Sequence, residues 1–152
     1  MSYQIHQVDW GSQDNPIRQI RERVFVCELN IPKAIEFDGR DTTALHFIAY
    51  ADNGEPVATA RLCKDGLLGR IAVLPPHRNR GIYSQMLTFI LSNAASNGLE
   101  SICINCLLDE VERFKNKGFS PCGCVFMEAG IPRQRLQCPI SQCDSSPFTM
   151  VH

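Results

Sequence analysis

The stretch Leu68 to Met86, LGRIAVLPPHRNRGIYSQM, restricts the fold more than any other part of the chain. Leu68, Ile71, Val73 and Leu74 suit an apolar strand, and Pro75-Pro76, which cannot donate to a sheet ladder, ends it. A basic turn, His77-Arg78-Asn79-Arg80-Gly81, leads into an amphipathic helix with Ile82, Met86, Phe89, Ile90 and Ala94 on one side and a stop at Asn97-Gly98. The next apolar run, Ser101 to Leu108, reads as a fully buried strand. Strand, helix and strand in succession predict a parallel, right-handed crossover, and so an α/β (α+β) fold. The first turn of a helix leaves backbone N–H groups without partners and carries partial positive charge, so an anion such as a pyrophosphate can dock there. An ordinary crossover with solvated arginines fits the same residues.

With 152 residues the chain fits one domain with a core that needs no disulfide or metal, expected over residues 1–138, followed by a tail at 139–152. A net charge of -1 and a pI near 6.4 speak against nucleic acid as a partner, so any basic patch is local. The apolar runs are far shorter than the roughly 20 residues of a membrane span, and MSYQIHQVDWG carries no basic segment followed by an apolar core. No membrane association and a cytoplasmic location are expected. The 8 cysteines are then read as reduced thiols. Cys103-Ile104-Asn105-Cys106 with Cys122-Gly123-Cys124 could supply four zinc ligands, yet a three-residue spacing within a strand puts Cys103 and Cys106 on opposite faces. Cys138 and Cys143, in a polar tail, are the pair most open to oxidation.

Taken in order, Tyr3 to Trp10 predicts a first strand, and Asn15-Pro16 predicts a helix start, with Ile17, Ile20, Val24 and Cys27 on one stripe as far as Glu28. Leu29 to Asp41 has no clear period and reads as a loop or a short second helix. Leu45–Tyr50, Pro56–Cys63 and Leu67–Leu74 are strand-like runs joined at Asn53-Gly54 and Asp65-Gly66, an antiparallel meander. Asp109 is expected to cap a short helix that stops at Gly118, and Cys122–Glu128 and Pro132–Gln137 close the fold as strands.

This order of elements, together with Arg78-Asn79-Arg80-Gly81, resembles the GNAT N-acetyltransferase superfamily. Val24-Phe25-Val26-Cys27-Glu28, Glu36-Phe37-Asp38-Gly39, Ala58-Thr59-Ala60-Arg61-Leu62, Gly69-Arg70-Ile71-Ala72-Val73 and Glu128-Ala129-Gly130-Ile131-Pro132 are similar to its small bacterial ElaA-like and YjcF-like branch. The resemblance implies a GNAT acyl-CoA N-acyltransferase fold, a central mixed sheet of about six or seven strands with flanking helices. It implies direct acyl transfer from acetyl-CoA, or another acyl-CoA, to the amine of a small-molecule or peptide acceptor, and a homodimer as the assembly common among such proteins. Three places depart from the pattern: Tyr83 stands where the pyrophosphate signature has a small residue, Phe114 where relatives carry an acidic tyrosine, and Leu107 where they carry a polar residue.

By the same resemblance, Ile71, Ala72 and Val73 offer backbone N–H groups to the pantetheine arm. Arg78, Asn79, Arg80, Gly81, Ile82, Tyr83 and Ser84 hold the pyrophosphate, and Asn105 meets the pantetheine or the acceptor. Glu28 and His46 are the candidates for the catalytic base, because Glu28 follows the first helix and an unperturbed histidine titrates at about 6.5. Each also has a structural reading, His46 as a hydrogen-bonded core residue and Glu28 as an ion-pair partner of Arg21 or Arg23. Glu36, Asp38 and Asp41 either attract a cationic amine or are solvated turn carboxylates. Tyr83, Ser84 and Cys106 are the candidates to replace the acid that Phe114 lacks. Two other functions compete: a GNAT-fold module that binds acyl-CoA without transfer, and a thiol-redox or zinc protein.

Overall fold

The computed structural model describes residues 3–78 and 81–144, without the side chains of residues 12–15. Among them, β1 (Gln4–Val8), β2 (Leu45–Tyr50), β3 (Pro56–Leu62) and β4 (Leu68–Val73) form an antiparallel sheet in that order. The two turns are the ones the sequence predicts. Asn53 Oδ1 accepts from the Glu55 N–H at 2.9 Å, and Asp65 Oδ1 from the Leu67 N–H at 3.1 Å. A second sheet contains β5 (Ser101–Leu107), β6 (Ser120–Pro121), β7 (Phe126–Glu128) and β8 (Ile131–Pro139), with β8 pairing antiparallel to the other three. The α/β acyltransferase architecture is therefore present as eight strands in two sheets among the described residues, where one sheet of six or seven was expected.

The two sheets meet at one parallel bridge, Leu67 with Cys103, and the Cys103 N–H donates to the Gly66 carbonyl at 2.9 Å. Gly66 permits this approach: a Cβ there would sit 3.0 Å from the Ser101 carbonyl oxygen, at a φ of +91°. Beyond the bridge the strands part. Between the pairs Thr59–Ala72 and Arg61–Gly69, β4 spends one residue more than β3, and Arg70 takes a left-handed φ of 49°. Such a bulge bends its strand, although the β3–β4 ladder resumes beyond it.

Helix α3 (Ile82–Ser96) covers one face of the first sheet, where Met86, Leu87 and Ile90 join Phe47, Leu62, Val73 and Leu136 in the main core. Helix α1 (Trp10–Arg21) contacts β2, β3 and β4, and a second cluster of Ile20, Val24, Phe25, Ala72 and Leu74 forms where the chain continues from it. The helix starts at Trp10 after Asp9, not at Asn15-Pro16, so Pro16 lies inside it. From Glu22 to Glu28 the helix widens into a π-helix, with the Leu29 N–H donating to the Val24 carbonyl at 3.0 Å. The wider turn slows the rotation of side chains around the axis. Ile17, Ile20 and Val24 are buried as expected, but Phe25 follows them inward and Cys27 is exposed.

Between these elements lie α2 (Lys33–Glu36), which takes the short-helix option for this stretch, and a 3-10 turn at Asp41–Thr43. Helix α4 (Val111–Lys115) has Glu110 as its cap residue, and a 3-10 turn over Leu108–Glu110 leads into it, so Asp109 does not cap it. Strand β5 is half-covered rather than fully buried: Ile102, Ile104 and Cys106 are buried, while Cys103, Asn105 and Leu107 are only partly covered, the last two beside a cavity. Cys138 and Cys143 also differ from expectation. Strand β8 runs on to Pro139, Cys138 is buried, Ile140 and Cys143 pack on the core, and burial pushes the Cys143 thiol up to about 12.

Candidate active site

The strand, basic turn and helix fold as the sequence predicts, and each side chain of that stretch takes a specific post. Gly81 precedes α3 with a left-handed φ of 77°, a conformation that costs a side-chain-bearing residue. The N–H groups of Ile82, Tyr83 and Ser84 thereby open a 15-residue helix at the end of β4. Tyr83 does not crowd that opening, because its side chain is only 4% exposed and turns inward beside Ile71, Met86 and Phe114. Burial pushes its hydroxyl up to about 12, so it stays protonated at neutral pH. Asn79 and Arg80 lie outside the described residues.

Arg78 and Glu28, assigned from sequence to the pyrophosphate and to the amine, are bound to each other. Arg78 Nη1 and Nη2 donate to the two Glu28 carboxylate oxygens at 2.7 and 2.8 Å, and Nε donates to the Val73 carbonyl at 2.9 Å. This fork fastens the end of the π-helix to the end of β4. Ile71, Ala72 and Val73 lie on the edge of β4 that has parted from β5.

The parting of β4 and β5 opens a cavity of about 370 Å³, within the range of small-molecule sites. Its floor is Leu68 to Ile71 on one strand and Ile104 to Leu107 on the other. Phe25, Ile31, Glu36 and Asp38, from the π-helix and the segment after it, bound one side; Phe126, Glu128, Arg133 and Arg135 bound the other. Glu28 and His46 are not among the lining residues.

One wall of the cavity is backed by a network of ions. Arg21 donates to Glu36 Oε2 at 2.6 Å and to Asp41 Oδ1 at 2.7 Å, and Arg61 donates to both Asp38 oxygens at 2.7 and 3.0 Å and to Asp41 at 3.2 Å. Arg70 reaches Glu36 at 3.2 Å and Asp38 at 3.1 Å. Three cations thus meet three carboxylates: Glu36 and Asp41 are buried in these pairs, while the more exposed Asp38 is held by Arg61 and Arg70. Burial alone would raise Asp38, but its hydrogen bonds from Arg61 and the Arg40 N–H, with the charges of Arg61 and Arg70, hold it well below the usual carboxylate range. Burial pushes the Glu36 carboxyl up against the pull of Arg70 and Arg21.

His46 is part of the same packing. It is fully buried, stacks on Trp10 with centroids 4.9 Å apart, and its Nε2–H donates to the Asp41 carbonyl at 2.7 Å, leaving Nδ1 without a partner. Burial lowers its pKa, so the ring is neutral, and no substrate reaches it. Phe114 is buried edge-to-face against Phe119 at 5.5 Å and supplies no proton. Cys106, beside it on the cavity wall, is kept a thiol by burial and by the charge of Glu110.

Several charged lining residues have no site role in the sequence reading, among them Arg61, Arg70, Glu110, Arg133 and Arg135. Arg133 and Arg135 stand two apart on β8, opposite Leu107 and Asn105, so the two-residue period of the strand puts both on the cavity side. Asn105 is mid-strand and does not cap α4. Its Oδ1 accepts from Arg135 Nε at 3.0 Å and its carbonyl from Arg133 at 3.2 Å. Among the described residues no group of His, Cys, Asp and Glu side chains is arranged to hold a metal ion, and all eight cysteines are free.

The profile of the acetyltransferase (GNAT) family matches residues 7–116. An uncharacterized N-acetyltransferase of Bacillus subtilis, YjcF, is 32% identical over 121 residues, which cover 77% of this chain and 86% of that protein. In shape, a putative N-acetyltransferase from Lactobacillus plantarum superposes with a TM-score of 0.80 at 23% identity, over 92% of this chain and 99% of the other. Escherichia coli ElaA superposes with a TM-score of 0.75 at 24% identity, over 91% and 99%.

Proposed function

The chain belongs to the acetyltransferase (GNAT) family, and on that footing we propose that it transfers an acetyl group from acetyl-CoA to the amine of a small-molecule or peptide acceptor. The observation that carries this reading is the parting of β4 from β5 after the Leu67–Cys103 bridge, which leaves a free edge on β4 and a cavity that meets it at Ile71, with the start of α3 following farther along the chain and outside the cavity lining. The thioester supplies an activated carbonyl carbon. The amine nitrogen forms a bond to that carbon, the C–S bond breaks, and the proton lost by the amine balances the one gained by the sulfur.

In this reading the amides of Ile82, Tyr83 and Ser84 meet the phosphates, and Gly81 supplies the bend that aims them. The free edge of β4 at Ile71 to Val73 pairs with the pantetheine arm and polarises the carbonyl through backbone N–H groups. Arg78 and Glu28 hold these two parts in register and act as positioning residues. For the proton acceptor we assign Glu110. It lines the cavity just past the end of β5, near Cys106, and among the described residues its carboxylate is tied only to Arg113, at 2.8 Å. A carboxylate held by a single partner keeps lone pairs for an incoming amine.

Thiol release on mixing the protein with acetyl-CoA and a panel of amines, with mass spectrometry of the products, tests the reading. An acetylated amine formed in step with free thiol is expected. Phe114, which lacks a hydroxyl, favours the second reading, a module that binds acyl-CoA without transfer. Saturable cofactor binding with no thiol release across the panel would establish that reading instead.

A further inference from the structure

The charges around the cavity do not cancel in pairs. Arg61 and Arg70 are matched within the buried network, Arg40 meets Asp65 at 3.0 Å, and Arg133 meets Glu128 at 3.3 Å. The lining carboxylates are all engaged in turn, Glu110 with Arg113 and the rest with the cations just named. Arg135 is the exception. Among the described residues it makes no ion pair, and its side chain makes one hydrogen bond, from Nε to Asn105 Oδ1, which leaves both Nη groups unused.

That one bond fixes where the charge points. Asn105 faces Arg135 across β5 and β8 and holds the guanidinium by the nitrogen nearest its stem, on the half-buried side of both strands. A guanidinium with two parallel N–H groups free matches the two oxygens of a carboxylate, and it binds them best where water is partly excluded. Counted from the Leu67–Cys103 bridge, Asn105 lies level with Gly69, four residues or about 13 Å along the strand from Val73, the end of β4 that leads on to α3. Arg135 therefore lines the cavity at a point away from the turn assigned above to the phosphates.

We propose that the acceptor is an amine that also carries a carboxylate, an amino acid or a close analogue, and that Arg135 binds that carboxylate so as to present the amine toward β4. This rests on the transferase reading for the reaction but not for the recognition. In a cavity of about 370 Å³ an amino acid fits beside an acetyl thioester. Polyamines, which bring only positive charge, would meet Arg135 with repulsion.

The test uses the free L-amino acids and their carboxamides as matched pairs, each measured for thiol release with acetyl-CoA and for calorimetric binding to the CoA-saturated protein. The acid is expected to be preferred over the amide by roughly 10- to 100-fold, the range of a hydrogen-bonded charged pair. In R135Q that ratio should collapse toward one through KM, and R135K should restore part of it. Acetyl-CoA affinity, read separately, should stay the same in R135Q. Equal or better use of the amides, or a preference that survives R135Q, would overturn the proposal while leaving the transferase reading intact. Weaker acetyl-CoA binding by R135Q with the preference unchanged would overturn it too, by assigning Arg135 to the cofactor. Preferential binding of the acids that R135Q abolishes, with no thiol release from any pair, would support the recognition site and defeat the transferase reading.

Discussion

The two walls of the cavity use the same side chains to opposite ends. On the side of α1, α2 and β3, Arg21 and Arg61 are buried and every carboxylate they touch is matched, so the charges brace the first sheet. On the side of β5 and β8 the charges are half-exposed, and Arg135 is held by a neutral amide and, among the described residues, makes no ion pair, although its charge helps to lower the Asp65 carboxyl. Burying an ion is costly unless it is paired, so a matched interior set is a structural element, whereas a partly exposed cation on a cavity wall keeps donors for a ligand.

That contrast can be broken in four ways. The largest effect is expected from R21M, which leaves Glu36 and Asp41 short of a partner inside the fold and should lower stability by about 3–5 kcal/mol in denaturant titrations. A loss as small as that of a surface substitution would show that the network does not brace the sheet. E110Q, on the open wall, should instead lower kcat by roughly 100-fold with acetyl-CoA affinity unchanged. Near-normal turnover would remove Glu110 from the proton path.

A smaller effect separates His46 from the reacting groups. Because burial lowers its pKa, the unfolded chain takes up a proton at about 6.5 while the folded chain does not until lower pH. Stability should fall as pH drops through that window, with the penalty complete below the folded value. The raised Glu36 carboxyl contributes a slope of opposite sign, so the comparison of wild type with H46Q isolates the histidine. Melting temperatures between about pH 7 and 5 should drop less in H46Q. An equal drop in both proteins would assign the pH dependence elsewhere. The smallest effect is expected from R135Q on folding: about 0.5 kcal/mol or less, against its large effect on acceptor choice. A loss comparable to that of R21M would place Arg135 with the bracing set.

The same contrast explains what could be read from the residues alone. The three-strand meander and α3 were legible because Asn53-Gly54, Asp65-Gly66, Pro75-Pro76 and Asn97-Gly98 are local signals whose cause lies within a few residues. The start of α1 was not, because Trp10 is drawn into helix by packing on His46, 36 positions away in the chain. Nor was the π-helix, whose wider turns remove Cys27 from the apolar stripe. The partners of Glu36, Asp38 and Asp41 come from α1, β3 and β4, a pairing made by the fold and written in no spacing. Arg133 and Arg135 had a signal, two cations two residues apart in a strand, but the cavity they face exists only because β4 and β5 separate.

The strand edge, the helix start and the cavity acquire their meaning from one ligand, so its binding is the most direct measurement. Acetyl-CoA titrated calorimetrically into the protein should give saturable heat with one site per chain, and G81V, which strains the left-handed turn ahead of α3, should weaken it while the β-sheet signal in circular dichroism persists. No saturable heat up to roughly 1 mM acetyl-CoA, a ceiling that corresponds to about 4 kcal/mol of binding free energy, would contradict the assignment.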